Sequence, residues 1–122
     1  MKALILLSHG SRRKESNEEM QQLARSVAAL DGHSFGRVVC AFQQFARPSF
    51  HEILDDVVAQ GASDIVVFPL FLAAGNHVLV DVPDMIARAR ARHPAATITV
   101  TPHLGQTPDL ASFLMAQADR QA

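Results

Sequence analysis

Four short segments of apolar or β-branched residues alternate along this chain with four segments of helical periodicity, and no other feature of the sequence limits the possible folds as strongly. These segments cover residues 3–7, 37–42, 64–70 and 97–101. A continuous apolar run of that length is typical of a strand covered on both faces. Strands that alternate with helices predict a parallel sheet with right-handed crossovers and helices on both of its faces.

Start signals delimit the helical segments. Serine followed by glutamate three residues later has the spacing of a capping box, and it predicts helix starts at Ser16 and Ser49. Asp81 is predicted to cap the third helix, and Thr107-Pro108 to open the fourth. The predicted helices cover residues 16–30, 49–60 and 81–93, with the fourth starting at residue 107.

The chain is predicted to form one α/β domain, residues 1–122. That length can bury a core without disulfides or metals. We expect a three-layer sandwich whose four parallel strands follow the order 2-1-3-4, with flavodoxin-like winding. In such a sheet, ligands bind outside the carboxyl ends of the strands, at the point where the strand order reverses.

Composition limits the expected partners and the compartment. The formal net charge is −1, and the chain has no Trp and no Tyr, so neither nucleic acid nor a membrane surface is an expected partner. The single cysteine, Cys40, excludes an intrachain disulfide and is expected in the core. With no evident targeting signal or membrane span, we expect a cytoplasmic protein.

Two histidines are predicted to meet at the carboxyl edge of the sheet. His9 directly follows the first strand, and His77 lies in the long connection after the third. These strands are neighbours in the expected order, so the two side chains would face each other across the crevice. Imidazole suits iron, cobalt, nickel and zinc, and it can accept a proton near neutral pH. The alternative is that each is an ordinary hydrogen-bonded or surface histidine.

The other histidines divide between the two edges. His51 and His103 are expected at the same carboxyl edge, whereas His33 and His93 precede strands and are expected on the surface of the opposite edge.

The segment from Phe68 to Val80 is too apolar for an ordinary loop. Phe71 and Leu72 are predicted to leave the sheet at its carboxyl edge. They would then be core beneath the third helix, a wall for a flat apolar ligand, or a subunit interface. Arg12, close to the crevice, could hold a ligand carboxylate, whereas Arg13 and Lys14 fit a solvated cluster.

Motifs of other enzyme classes are missing from the sequence. It has no GxGxxG, no GxxxxGK[ST] and no GxSxG, and no Cys/His spacing of a structural zinc site. A hydrolase with Ser8 or Ser11 beside His9 stays open as an alternative. Ser8 is a poor candidate, because adjacent strand residues point to opposite faces. A third possibility is a structural or regulatory module whose apolar segment is only a partner interface.

Two motifs resemble one protein family. The first is Ser8-His9-Gly10-Ser11-Arg12, followed by Asn17. The second is FPLFLAAGNHV at 68–78, followed by Asp81-Val82-Pro83. At this separation, in a chain of this length, they are similar to the short CbiX/SirB-type sirohydrochlorin chelatases, and the similarity extends over nearly the whole chain.

The resemblance implies a class II chelatase fold, a homodimer, and insertion of cobalt, nickel or iron into sirohydrochlorin in cobalamin- or siroheme-type biosynthesis. The family's two histidines correspond to His9 and His77, which would bind the metal and accept pyrrole protons. No cofactor beyond the divalent metal substrate is implied. The residues expected to contact the tetrapyrrole are Ser11, Arg12, Gln44, Phe71, Leu72 and Gly75.

One position departs from the family pattern. Relatives usually carry A-F-x-E after the second strand, and here the stretch reads Ala41-Phe42-Gln43-Gln44. An amide cannot act as a base and is a weaker metal ligand than a carboxylate. The alternative function is therefore a CbiX-like protein that binds metal or tetrapyrrole without turnover. His103 could supply a third imidazole nearby.

Overall fold

The structure, a computed structural model, describes residues 1–75 and 77–122, with residues 77 and 78 described by their backbone alone. The strands are β1 (Lys2–Ser8), β2 (Arg37–Phe42), β3 (Asp64–Pro69) and β4 (Thr97–Val100). The α-helices are α1 (Lys14–Ala28), α2 (Phe50–Ala59), α3 (Val82–Arg92) and α4 (Leu110–Asp119). A π-helical turn, His77–Asp81, precedes α3, and a 3-10 turn, Leu104–Gln106, precedes α4.

The four strands form one parallel sheet in the order β2-β1-β3-β4, which confirms the predicted topology. Leu7 of β1 pairs with Ala41 of β2 on one side and with Pro69 of β3 on the other. The carboxyl ends of these three strands therefore lie level with one another, and the residues that follow them share one edge.

Helices cover the two faces of the sheet unequally. The larger hydrophobic cluster lies between the sheet and helices α2 and α3, and it includes Ile5, Leu54, Val67 and Ile86. The smaller cluster lies between the sheet and α1, and its buried members are Leu6, Ala24, Cys40 and Phe42. Cys40 is thus in the core, as predicted.

Local hydrogen bonds explain where α2 begins and ends. The Ser49 hydroxyl accepts from the Glu52 amide, and the Glu52 carboxylate accepts from the Ser49 amide, which confirms the predicted capping box. At the other end Gly61 adopts a φ of +101°. Its amide donates to the Val58 carbonyl, and the next amide, that of Ala62, donates to the Val57 carbonyl. This is the double hydrogen bond of a Schellman motif.

Two predicted helix caps were wrong. Helix α1 begins at Lys14, before Ser16, and its N-cap residue, Arg13, makes no side-chain capping hydrogen bond. The chain turns earlier than expected because the Arg13 amide already donates to the Ser11 hydroxyl, so Ser16 lies inside the helix. The side chain of Asp81 also makes no capping hydrogen bond, because Asp81 is the last residue of the π-helical turn and already has a helical backbone, with φ −68° and ψ −40°.

Helix α4 differs from the other three. None of its ten residues is buried, although its sequence is largely apolar. Among the described residues, no helix is long and apolar enough to span a bilayer.

Candidate functional site

His9 lies just beyond the end of β1, with an exposed side chain supported by a buried aromatic ring. Its imidazole packs on Phe71, with ring centroids 4.0 Å apart and planes inclined by 31°. Phe71 is only 2% exposed and belongs to the core. It has left the sheet after β3, as predicted, and it both completes the core and supports His9. A fixed ring thus holds the imidazole at the carboxyl edge.

Gly10 allows the loop after β2 to approach His9 closely. The Gln44 amide donates to the His9 carbonyl at 3.0 Å. Gly10 has a φ of +86°, and a Cβ built there would lie 1.7 Å from the Gln44 carbonyl oxygen. Only glycine fits a backbone conformation and a contact of this kind. The backbone of Gln44 is therefore held beside His9 by the residue that follows the histidine.

Asn17 fixes the loop that follows Gly10. Its side-chain oxygen accepts from the Ser11 amide at 2.9 Å, and its side-chain nitrogen donates to the Ser11 carbonyl at 2.7 Å. An amide side chain is the group that can satisfy both backbone partners at once. Ser11 therefore has a fixed backbone, and its hydroxyl oxygen accepts from the Arg13 amide.

Arg12 is exposed and lies over the ring of Phe45, with its guanidinium carbon 4.5 Å from the ring centroid. Both residues line a cavity of about 340 Å³, together with Lys14 and Arg47. Phe45 is 55% exposed and has a φ of 63°. Neither Phe45 nor Arg47 was predicted from the sequence, although an aromatic residue within the polar stretch after β2 was an available signal.

Leu72 and Gly105 form the outer part of the same edge. Leu72 is 71% exposed, in contrast to its buried neighbour Phe71. The Gly105 amide donates to the Phe71 carbonyl at 3.0 Å, and a Cβ on Gly105 would lie 1.6 Å from the Leu72 carbonyl oxygen. The 3-10 turn before α4 therefore packs through Gly105 against the backbone of the apolar segment at Phe71 and Leu72. Gly75, a little further along, is exposed.

A second polar cavity, of about 320 Å³, lies beside Gln44. His51 and Asp81 line it with Gln44, and the Gln43 side-chain nitrogen donates to the Asp81 carboxylate at 3.4 Å. His51 is in the first turn of α2, as predicted, and its Nδ1 is buried without a hydrogen-bond partner in the described part of the chain. Gln44 therefore stands between His9 and a group of titratable side chains.

The side chain of the second predicted ligand, His77, lies outside the described residues. Its backbone begins the π-helical turn that leads to Asp81. Convergence of His9 and His77 thus stays a prediction. Within residues 1–75 and 79–122, no group of three or more His, Cys, Asp or Glu side chains could hold a metal ion.

The remaining histidines lie elsewhere. His103 is buried and lines a groove of about 550 Å³ between β4 and α3, a different cavity from the one that Gln44 lines. His33 is exposed, as predicted. His93, expected on the surface, is half-buried, because its Nε2 lies 2.7 Å from the Asp55 carboxylate. Hydrogen bonds from His93 and Arg92 lower the pKa of Asp55.

Comparisons with known proteins identify relatives of this chain. The model of the CbiX family matches residues 3–121. The chain is 34% identical over 86 residues to a sirohydrochlorin cobaltochelatase of Methanococcus aeolicus, a match that covers 70% of this chain and 59% of that protein.

Two solved structures share the fold. A putative cobalamin (vitamin B12) biosynthesis CbiX protein from Marinobacter aquaeolei VT8 is 31% identical, with a TM-score of 0.83 over 99% of this chain and 97% of that one. The sirohydrochlorin chelatase SirB from Bacillus subtilis subspecies spizizenii, in complex with cobalt, is 26% identical, with a TM-score of 0.83 over 98% of this chain and 50% of that one. The chain thus spans about half of SirB and 59% of the methanogen protein.

Proposed function

We propose, from the premise that this chain belongs to the CbiX family, that it inserts a divalent metal into sirohydrochlorin. The observation that carries the proposal is the exposed imidazole of His9, held on buried Phe71 at the carboxyl edge, with Gln44 against its backbone. In this reaction the metal ion replaces two pyrrole N–H protons, and both protons leave with a base or with water. Metal and tetrapyrrole are both substrates.

His9 and His77 would divide the chemistry between them. One imidazole holds the incoming metal and replaces part of its water shell. The other accepts a pyrrole proton, which an imidazole can do near neutral pH. The packing of His9 on Phe71 reduces the rotational freedom of its ring, so the donor atom is oriented before the substrates arrive.

The surfaces on either side of His9 suit different parts of the substrate. Leu72 and Gly75, both exposed, would contact the flat ring where the apolar segment passes the edge. Sirohydrochlorin carries eight carboxylates around its rim. Ser11 and Arg12 would receive some of them, and Lys14 and Arg47 add positive charge to the cavity that Arg12 lines.

The test is the metal-dependent spectral change of sirohydrochlorin, measured separately with cobalt, nickel and iron. Cobalt comes first, because SirB was solved with cobalt and the methanogen relative is named a cobaltochelatase. We expect His9→Ala and His77→Ala to lower the insertion rate at least tenfold. The exposed His33, on the opposite edge, provides the control variant His33→Ala, which should keep the wild-type rate. Full activity in both His9→Ala and His77→Ala would contradict the proposal.

Gln44 allows a gain-of-function test. If the missing carboxylate limits proton removal, Gln44→Glu should raise the rate and shift its pH dependence towards acid, since a carboxylate remains a base below the usual pKa of imidazole. The matched control, Gln22→Glu, adds the same charge on the exposed side of α1. Equal rates in wild type and both variants would make Gln44 a bystander.

A second candidate function is binding without turnover, and Gln44 is the observation that favours it. A protein of this kind would bind cobalt or sirohydrochlorin at equilibrium and leave the rate of their combination unchanged. Calorimetric titration alongside the spectral assay separates the two functions, because saturable binding with no rate enhancement by any of the three metals supports the second candidate alone.

We also propose that the partner of this chain is a second copy of itself, as the resemblance implies, and that it works in the cytoplasm. The free, buried thiol of Cys40 is compatible with a reducing compartment.

A further inference from the structure

Insertion of a divalent metal releases two pyrrole protons, and His9 and His77 together can accept only one of them while the other imidazole holds the metal. Each N–H bond that breaks leaves its electron pair on the nitrogen that binds the metal, so each proton needs a base. The family pattern has a glutamate where this chain has Gln44. An amide side chain donates and accepts hydrogen bonds but does not take up a proton near neutral pH. The chain therefore needs a second base close to Gln44.

His51 lies beside Gln44, because the start of α2 is tied to the end of β2. The Phe42 amide donates to the Pro48 carbonyl at 2.9 Å, and Phe42 also forms a parallel bridge with Ser49. The capping box at Ser49 fixes the first turn of α2, which contains His51. Gln44 and His51 consequently line the same cavity of about 320 Å³.

The ring of His51 is oriented but not used in a structural hydrogen bond. It packs edge-on against Phe50, with ring centroids 5.8 Å apart and planes inclined by 65°, and Phe50 is only 1% exposed. Its Nδ1 is buried without a partner in the described part of the chain, which is uncommon for a buried polar atom in a folded protein. His33 and His93, by contrast, bind backbone or carboxylate groups through their ring nitrogens. The imidazole of His51 is therefore available for proton transfer.

The charges around His51 suit a group that gains and loses a proton. The charged residues that line the cavity with it are Asp81, Asp84 and Arg88. With two carboxylates against one guanidinium, a proton on His51 brings the lining to neutrality. On α2 itself, the carboxylates of Glu52 and Asp55 are already engaged in ion pairs. The lining residues from α3 and the turn before it are exposed, so a proton on His51 can be released to solvent.

We propose that His51 accepts the second pyrrole proton, in place of the carboxylate that the family pattern has at position 44. A water molecule occupies about 30 Å³ in the liquid, so the cavity has room for several. The proton passes from the pyrrole nitrogen to a water held by the Gln44 amide, then to the imidazole of His51, and finally to solvent. This inference rests on the proposed function and names the acceptor that Gln44 cannot be.

The first experiment measures kcat for cobalt insertion as a function of pH. His51→Asn and His51→Gln each keep a polar side chain but cannot accept a proton near neutral pH, and either should lower kcat about tenfold. On the acid side, log kcat should rise with pH with a slope of about two in wild type, because two bases must be neutral, and of about one in the variants. The control variant His33→Gln, on the opposite edge, should keep both the wild-type rate and the wild-type slope.

The second experiment repeats the His51 substitution in a chain that already carries Gln44→Glu. The carboxylate then accepts the second proton, so His51→Gln should lower kcat by about twofold at most. If His51 only supported the structure of α2, its substitution would cost the same factor in both backgrounds. Circular dichroism checks that the variants are folded, and His51→Asn replaces His51→Gln if the latter is not.

The outcomes separate this inference from the function on which it rests. An active wild type whose rate and slope are unchanged by both His51 substitutions would reject the inference alone, and so would an equal loss in the two backgrounds. Insertion by Gln44→Glu but not by wild type would mean that His51 does not replace the carboxylate, although the site is that of a chelatase. Absence of insertion in both chains would reject the proposed function and this inference with it.

Discussion

Gly10 is a residue on which the local geometry of the site depends directly. It has a φ of +86°, and a Cβ would meet the Gln44 carbonyl oxygen at 1.7 Å. We expect Gly10→Ala to lower the free energy of unfolding by about 2–4 kcal/mol, because backbone strain and a collision between two backbone segments add together. The insertion rate should fall as well, since Gln44 must move away from His9. Urea denaturation and the spectral assay measure the two effects.

Gly32 provides a matched control for that substitution. It has nearly the same φ, +87°, but a Cβ at this position would have no neighbour within 4 Å among the described residues. Gly32→Ala therefore carries the conformational strain without the collision and should cost about 1 kcal/mol. Equal losses of stability in the two variants would show that Gln44 does not press against Gly10.

Cys40 supports a second prediction at the residue scale. It is 1% exposed, and burial raises the pKa of its thiol to about 11. Because the thiolate is the reactive form, the native protein should not react with a thiol reagent at neutral pH within minutes. One thiol per chain should react promptly in urea. Rapid labelling of the native protein would mean that α1 does not cover β2 as described.

The site residues differ in how far the sequence alone could locate them. The place of His9 follows from its position after a strand, which depends only on local pattern. The contact between Gly10 and Gln44 joins two loops that are distant in sequence, and no local pattern reveals it. The role of Phe71 could not be predicted, because an apolar residue that follows a strand can equally well belong to the core or line a binding site. In the structure Phe71 belongs to the core and also supports His9.

At the scale of elements, the start of α2 depends on one carboxylate with two tasks. Glu52 accepts from the Ser49 amide and pairs with Arg47, and the bond to Arg47 is the main reason that its pKa falls from 4.5 to about 2. A carboxylate with a lowered pKa stabilises the fold above its unfolded pKa, and it loses that contribution as pH falls towards the folded pKa.

Glu52→Gln keeps the side-chain acceptor for the cap and removes the charge. We expect the variant to unfold a few degrees below wild type at neutral pH, with the difference shrinking as pH falls from about 4.5 to about 2. Thermal unfolding followed by circular dichroism at several pH values measures it. The effect is small because the pair is exposed to solvent. A difference that stays constant with pH would contradict this account.

The elements also show where pattern-based prediction fails. The strands and the Ser49 capping box were predicted correctly, because each depends on residues close together in the chain. Ser16 has the same capping spacing, yet α1 starts before it, because the loop turns earlier through Ser11 and Asn17. The apolar pattern of α4 predicted its helix, but a helical pattern does not say which surface covers it.

At the scale of the whole molecule, charge is arranged locally. The net charge is only −1, so no overall field attracts an anionic substrate. The cavity at the carboxyl edge nevertheless gathers three cations, Arg12, Lys14 and Arg47, against the one carboxylate of Glu18 in its lining, with Arg47 paired to Glu52. A substrate with eight carboxylates would therefore meet positive charge at one place on a nearly neutral protein. Attraction of this kind acts over short distances and depends strongly on salt.

The salt dependence of the reaction tests this arrangement. The Debye length falls from about 10 Å at 0.1 M salt to about 3 Å at 1 M, so KM for sirohydrochlorin should rise several-fold over this range while kcat changes little. Arg12→Gln should raise KM at low salt and make its salt dependence shallower, because one of the attracting charges is gone. Arg25→Gln, which removes a charge from the exposed side of α1, should behave as wild type. A KM that neither salt nor Arg12→Gln alters would place the carboxylates of the substrate elsewhere on the protein.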